Sequence, residues 1–175
     1  MTMTNQAICT VFSMEIYKGK SNSKWPQYTK IADFESRTIF KKIGSLRSCS
    51  KPIKIKINYH VSTPSLKMRC AAMIFTQGVC AFSTFEPKER DHIQKGNYQA
   101  QVEIPSNLLI EGEHSVNISI FGSRGHKLRY VDYKDALGFH IKDEIDGTSS
   151  RGDYTQNVMG IVHPLLKWSS TYQHE

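Results

Sequence analysis

Residues 96–121, GNYQAQVEIPSNLLIEGEHSVNISIF, are the segment around which the rest of this 175-residue chain is organised. Apolar residues occupy every second position at both ends of the segment: Tyr98, Ala100, Val102 and Ile104, then Val116, Ile118 and Ile120. This period of two predicts two strands that each bury one face. Pro105 lacks the amide hydrogen that a strand ladder needs and ends the first strand, while Gly112 allows the turn before the second.

The same pattern recurs along the chain. It is clearest in residues 53–60, where Ile53, Ile55, Ile57 and Tyr59 alternate with polar or basic residues. Further strands are predicted at residues 7–17, 31–42, 68–75, 79–85 and 137–141. About eight or nine short strands, separated by a turn roughly every ten residues, predict an all-β fold, an antiparallel β-sandwich.

One domain is expected at this length, covering residues 7–175 after a short tail at residues 1–6. Residues 143–157, DEIDGTSSRGDYTQN, are the most polar part of the chain and predict a flexible arm before an apolar C-terminal strand at 158–168. No apolar run approaches the roughly 20 residues that cross a bilayer, and the first residues do not form a secretory signal. A cytoplasmic location is therefore expected.

Motifs for catalysis or metal binding do not occur in the sequence. There is no phosphate-binding loop, no H-E-x-x-H and no G-x-S-x-G. The four cysteines, Cys9, Cys49, Cys70 and Cys80, form no C-x-x-C pair and are predicted to be free thiols. The seven histidines are scattered singly. We therefore expect no catalytic residue, no metal and no cofactor.

The net charge of +7 favours an anionic partner, whether nucleic acid, an acidic sugar or a lipid surface, although a solvated basic surface explains it equally well. Nucleic-acid binding would need basic and aromatic side chains on one face. Lys54 and Lys56 occupy the even positions of their predicted strand and face solvent, whereas Tyr59 occupies an odd position and faces the core. No nucleic acid is therefore expected as a partner.

Sugar recognition needs amides, guanidinium groups and hydroxyls that pair with sugar hydroxyls, together with an aromatic ring for the apolar face of a pyranose. Five residues with outward parity meet this need and form the predicted carbohydrate site: Arg69, Asn117, Ser119, Phe121 and His140. They can act together if their strands are neighbours in one sheet. For Phe121 the alternative is that its ring plugs the end of the sandwich.

Four segments in a fixed order resemble a known domain: GNY at 96–98, IPSNLL at 104–109, DALGFHI at 135–141 and GIVHP at 160–164, the last followed by Trp168. The domain is the C-terminal carbohydrate-binding domain of the ATP-binding subunit (Wzt type) of ABC exporters for O-antigen polysaccharide. The resemblance covers residues 52–168. His114 stands where that family usually has a tyrosine.

The resemblance implies an immunoglobulin-like sandwich that recognises O-antigen lipopolysaccharide chains without catalysis, at their terminal non-reducing end. It also implies a homodimer formed by exchange of C-terminal strands, and an ABC transporter membrane subunit as partner at the inner face of the bacterial inner membrane. A C-terminal strand that folds back onto its own sheet is equally compatible with the sequence. Two alternatives stay open: a basic interaction module that docks a protein or an anionic membrane surface, and an enzyme acting on glycans.

Overall fold

The computed structural model describes residues 8–11, 15–16, 46–61, 66–123 and 127–174. These residues form ten strands: β1 (Ile8–Val11), β2 (Glu15–Ile16), β3 (Leu46–Ser48), β4 (Ile53–Val61), β5 (Leu66–Thr76), β6 (Val79–Phe85), β7 (Arg90–His92), β8 (Gly96–Ile104), β9 (Gly112–Ser123) and β10 (Lys127–Lys142). Within the described ranges, no helix is long and apolar enough to span a membrane. The predicted strand at 31–42 and the predicted tail at 1–6 lie outside them.

The smaller sheet is centred on β4. Strand β8 pairs with β4 in an antiparallel manner, in an unbroken register from Ile53–Ile104 to Val61–Gly96. On the other side of β4, β1 and β2 follow each other along the strand and run parallel to it. The two predicted strands at 53–60 and 96–104 are therefore direct neighbours.

The larger sheet has the strand order β3-β10-β9-β5-β6, and β7 pairs with the beginning of β5. Strands β5, β6, β9 and β10 are antiparallel to their neighbours, whereas β3 runs parallel to β10. The prediction of an all-β sandwich is confirmed. Its sheets are mixed and not purely antiparallel, because β1 and β2 pair in parallel with β4, and β3 pairs in parallel with β10.

The hydrophobic core lies between the two sheets and follows the alternation seen in the sequence. Every odd position of β4 from Ile53 to Val61 is buried, and every even position is half-buried. The larger sheet contributes Ile74, Val116 and Ile118, among others. Because side chains of a strand alternate between its faces, burying one set leaves the other set on an outer surface.

The segment after β10 is partly anchored and partly unpaired. Asp143 forms an ion pair with Arg151 at 3.2 Å, and the Cys49 thiol donates to the same carboxylate at 3.2 Å. These contacts hold the beginning of the arm that was predicted to be flexible. Farther on, Val162 forms an isolated bridge with Leu109, and the amides at 163 and 165 donate to the main-chain oxygens at 108 and 107 at 2.8 and 3.2 Å. The C-terminal strand predicted at 158–168 is thus reduced to these few contacts within this single chain.

Candidate functional site

Four strands of the larger sheet, β6, β5, β9 and β10, present the predicted site residues on one outward surface, which we call the larger face. Arg69 on β5 lies directly opposite Phe121 on β9. Two residues along, Ala71 lies between Ser119 on β9 and Phe85 on β6. The strands that carry the predicted residues are therefore neighbours, as sugar recognition required.

Two phenylalanines form an aromatic corner on the larger face. The rings of Phe85 and Phe121 meet edge to face across β5, with centroids 6.1 Å apart and planes at 81°. The small side chain of Ala71 leaves room between the two strands that carry them. Phe85 is 53% exposed, and Phe121 is half-buried outside the core cluster. Phe121 therefore does not plug the sandwich, and the corner offers apolar ring surface to solvent.

Arg69 is adjacent to this corner and has hydrogen-bonding capacity to spare. Its Nη1 donates to the main-chain oxygen of Glu86 at 3.5 Å, and its buried Nε has no partner in the described part of the chain. Glu86 is itself fixed, because its carboxylate accepts from Arg90 at 2.6 Å and from the amide of Cys70 at 2.8 Å. The guanidinium thus lies beside a fixed residue, and because its Nε is buried, a ligand would meet its Nη donors instead.

Ser119 is a positioning residue. It is only 3% exposed, and its hydroxyl donates to Asp132 Oδ1 at 3.0 Å. Asp132 lies opposite Ser119 on β10 and is exposed. The group available to a ligand at this point is therefore the carboxylate of Asp132, oriented by the serine predicted to bind directly.

Asn117 has a similar role next to a β-bulge. The register between β9 and β10 shifts between Tyr133 and Leu137, and Asp135 within this bulge has a left-handed φ of 50°. The amide of Asp135 donates to Asn117 Oδ1 at 2.8 Å, and its carboxylate accepts from Ser115 at 2.8 Å. Bulges re-aim side chains and are frequent near functional sites. Here the bulge presents Asp135 on the larger face.

His140 lies at the opposite end of the larger face from Arg69 and Phe121. It lies opposite Glu113 on β9, eight residues from Phe121, which corresponds to about 26 Å along a strand. The structure therefore brings Arg69, Ser119 and Phe121 together, places Asn117 between this group and His140, and leaves His140 at the other end of the face.

Three residues of the face were missed in the sequence: Phe85, Asp132 and Asp135. The parity of Phe85 within the predicted hairpin could have revealed it, since it faces outward with Ser83. The two aspartates could not be assigned to a face, because the bulge interrupts the alternation of β10.

Titratable groups near the larger face offer binding rather than reactive chemistry. Burial raises the pKa of the Cys70 thiol to about 12, and burial together with the hydrogen bond to Asp143 raises the pKa of the Cys49 thiol to about 11. Thiols with raised pKa values stay protonated and are poor nucleophiles. Cys49, Cys70 and Cys80 are free, as predicted. Among the described residues, no group of His, Cys, Asp and Glu could hold a metal ion.

Comparison with solved structures shows a similarity in fold. The chain resembles the structure described as "Crystal structure of the C-terminal domain of wzt", with a TM-score of 0.56 and 10% sequence identity over 73% of this chain and 74% of that chain. No protein-family profile and no curated protein matches the sequence. At 10% identity the likeness establishes a common fold, which agrees with the resemblance found in the sequence.

Proposed function

We propose that this domain binds a polysaccharide of the O-antigen type without chemically changing it, and so selects it for export by an ABC transporter. The fold shared with the Wzt C-terminal domain supports this proposal. The observation that carries it is the aromatic pair of the exposed Phe85 and the half-buried Phe121 beside the polar groups of Arg69 and Asp132.

Each part of the larger face has a partner on a sugar. The ring surface of Phe85 and Phe121 packs against the apolar face of a pyranose. The carboxylate of Asp132 accepts hydrogen bonds from sugar hydroxyls, and the guanidinium of Arg69 donates to ring or hydroxyl oxygens. The site is a shallow sheet surface, so it suits the terminal non-reducing end of a chain, with affinities in about the micromolar to millimolar range.

The transporter setting is part of the proposal. The partner would be an ABC transporter membrane subunit, and the domain would act at the cytoplasmic face of the bacterial inner membrane. The domain would work as a homodimer, which doubles the number of glycan sites and raises the effective concentration of the second one.

The exposed C-terminal segment supports a dimer formed by strand exchange. Five large apolar side chains after residue 158 are exposed: Met159, Leu165, Leu166, Trp168 and Tyr172. The side chain of Trp168, for example, is 91% exposed to solvent. Such surface is costly to leave in water, and a second copy of the sandwich would cover it.

A charge-driven docking module is less well supported. Residues 1–45 carry seven Lys or Arg against three Asp or Glu, while residues 46–175 carry sixteen against thirteen. More than half of the excess positive charge therefore precedes β3, and the four strands of the larger face carry six Lys or Arg against three Asp or Glu. An excess of three charges spread over four strands is weak support for docking on an anionic membrane surface.

Binding of purified O-antigen polysaccharide, measured by isothermal titration calorimetry, tests the proposed function. The double variant Arg69→Ala with Phe121→Ala should bind at least about tenfold more weakly, because it removes one donor and one ring. Thermal unfolding should stay close to wild type, since both side chains lie outside the core. His140→Ala is the matched control and should bind normally.

Unchanged affinity in the double variant, or a loss confined to His140→Ala, would refute this site. Ionic strength separates the alternatives. Binding that weakens steeply between low and moderate salt would indicate a charged surface rather than a glycan.

The dimer is tested by removing residues 158–175 and measuring mass by light scattering after size exclusion. We expect a dimer for the full chain and a monomer for the shortened chain, which should still bind the polysaccharide more weakly than the dimer. A shortened chain that remains dimeric would show that the C-terminal segment is not what joins the subunits.

A further inference from the structure

The outer surface of the smaller sheet carries a row of polar side chains, most of them uncharged. We call it the amide row and define it by its members: Asn58 and His60 on β4, and Asn97, Gln99 and Gln101 on β8. Asn58 lies directly opposite Gln99, and His60 lies opposite Asn97. The row runs along the sheet on the side opposite to the larger face.

Two cross-strand hydrogen bonds hold the row in a fixed arrangement. Gln99 Nε2 donates to Asn58 Oδ1 at 2.7 Å, and His60 Nδ1 lies 2.8 Å from Asn97 Oδ1. Each bond uses one polar atom of each amide. An amide has two donor hydrogens and an acceptor oxygen, so the nitrogens of Asn58 and Asn97 and the oxygen of Gln99 keep capacity for a ligand.

An open hollow of about 410 Å³ lies at this stretch of β4 and β8. It is lined by Asn58, Asn97 and Gln99 of the row, and by Tyr59 and Tyr98, whose side chains face the core. Such a volume is within the range of small-ligand sites. Asn97 and Gln99 are exposed, and Tyr98 is half-buried.

The Tyr98 ring lies on the core side of β8, behind the row, and is fixed from two directions. It stacks on Tyr59 with centroids 5.9 Å apart, and it meets His92 edge to face at 4.5 Å. Its hydroxyl donates to the main-chain oxygen of Gln94 at 2.7 Å. The part of β8 that carries Asn97 and Gln99 is therefore held in place from the core side, and a ligand at the row would meet ordered backbone.

We propose that the amide row is a second glycan-contacting surface, which takes a neutral, hydroxyl-rich segment of the same polysaccharide. This inference rests on the proposed function. Amides offer a donor and an acceptor side by side, which matches neighbouring sugar hydroxyls. Charged side chains lie at one end of the row, where Lys54 pairs with Glu103 at 3.4 Å and Lys56 lies opposite Gln101. The amides of Asn58, Asn97 and Gln99 farther along carry no charge, so a neutral segment fits there.

The role of the row follows from its composition. It has hydrogen-bonding groups but no outward aromatic pair, so its contacts are weak and tolerant of the exact sugar. A long polysaccharide bound at the larger face of one molecule gains from a second weak contact, because that contact is intramolecular. The amide row would thus favour long chains over short ones.

The test uses ¹⁵N-labelled full-length protein, with a neutral O-antigen polysaccharide and its isolated terminal oligosaccharide as probes. The side-chain NH₂ signals of Asn58, Asn97 and Gln99 should shift with the polysaccharide. They should still shift with it in the Arg69→Ala, Phe121→Ala variant. If these signals stay unchanged while signals of the larger face shift, the amide row is refuted and the proposed function stands. If no signal on either face shifts, both are refuted.

A double variant measures the contribution of the row. Asn58→Ala with Gln99→Ala should weaken polysaccharide binding by between about threefold and tenfold and leave oligosaccharide binding unchanged. Lys54→Ala with Glu103→Ala is the matched control on the same two strands and should change neither. An equal loss for both probes would refute the inference, and so would shifts in the row caused by an oligonucleotide but not by the polysaccharide.

Discussion

The two outer faces of this sandwich are built differently. Strands β4 and β8 of the smaller sheet pair without a register shift, and their outward residues form regular cross-strand pairs. In the larger sheet, β10 shifts register twice against β9, and β6 shifts once against β5. The regular face carries amides in a row, whereas the irregular face carries an aromatic corner, an arginine and two re-aimed aspartates.

Under the proposed function, this difference would give the two faces different tasks. A regular strand pair repeats the same contact along its length and can meet a repeating polymer at many points. A bulge breaks the repeat and places a few groups in one particular arrangement, which is what recognition of a chain end requires. We therefore attribute selectivity to the larger face and additional, tolerant contact to the smaller one.

The bulge in β10, which distinguishes the larger face from the regular smaller one, depends on Asp135. Its left-handed backbone is tolerated by aspartate and glycine but is unfavourable for alanine, and its carboxylate accepts from Ser115. Asp135→Ala should lower the free energy of unfolding by about 1–2 kcal/mol and weaken glycan binding. Asp135→Gly should recover part of this stability but none of the binding. Denaturant unfolding and calorimetry measure the two quantities.

Gln101→Ala on the regular face is the control for this experiment, because Gln101 is exposed and has ordinary strand geometry. It should change stability by no more than about 0.5 kcal/mol. If Asp135→Ala is as stable as wild type, the bulge does not depend on the residue at this position, and the contrast between the faces has another origin.

The core strands could be predicted because their signal is local. Alternation of apolar residues, as in 53–61 and 96–104, reports which side chains face inward whatever the strand's neighbour is. The same local signal gave the outward parity of Asn117, Ser119 and Phe121 correctly.

Other features depend on how strands are aligned, and alternation says nothing about alignment. His140 has the expected parity, but only the β9–β10 register shows that it lies opposite Glu113 and away from Phe121. The parallel pairing of β3 with β10 is equally invisible in the sequence. Asp132 and Asp135 could not be assigned to a face, because a bulge changes parity within one strand.

A smaller effect is expected at Ser119, where the structure separates positioning from contact. Ser119→Ala removes the bond to Asp132 and should lower the free energy of unfolding by about 1 kcal/mol, with about a threefold weaker binding of polysaccharide. Asp132→Ala should weaken binding more, and its cost in stability should be at least as large, because it leaves the buried Ser119 hydroxyl without its acceptor. Weaker binding in Ser119→Ala than in Asp132→Ala, measured by calorimetry, would make Ser119 the contact residue.

The smallest effect concerns pH and comes from His114 beneath the larger face. Burial lowers the pKa of this ring from its ordinary value of 6.5, against the opposing hydrogen bond to the Ile110 oxygen, and nearby His140 lowers it further. The neutral ring donates from Nε2 to that oxygen at 2.9 Å and accepts at Nδ1 from the Thr76 hydroxyl at 3.0 Å. Below pH 6.5 the unfolded chain binds a proton that the folded chain does not.

The His114 contribution to the free energy of unfolding should therefore be fully present above pH 6.5. It should be lost as the pH falls below 6.5, towards the lowered pKa of the ring in the folded state. His114→Gln keeps a polar side chain without this titration, so its stability should fall less over the same interval. Denaturant unfolding at pH 7.5, 6.5 and 5.5 measures the difference, which isolates His114 from the carboxylates that both proteins share. Parallel curves for the two proteins would show that His114 does not titrate differently on folding. Glycan binding at each face could then be compared between acidic and neutral pH without a change in stability caused by His114.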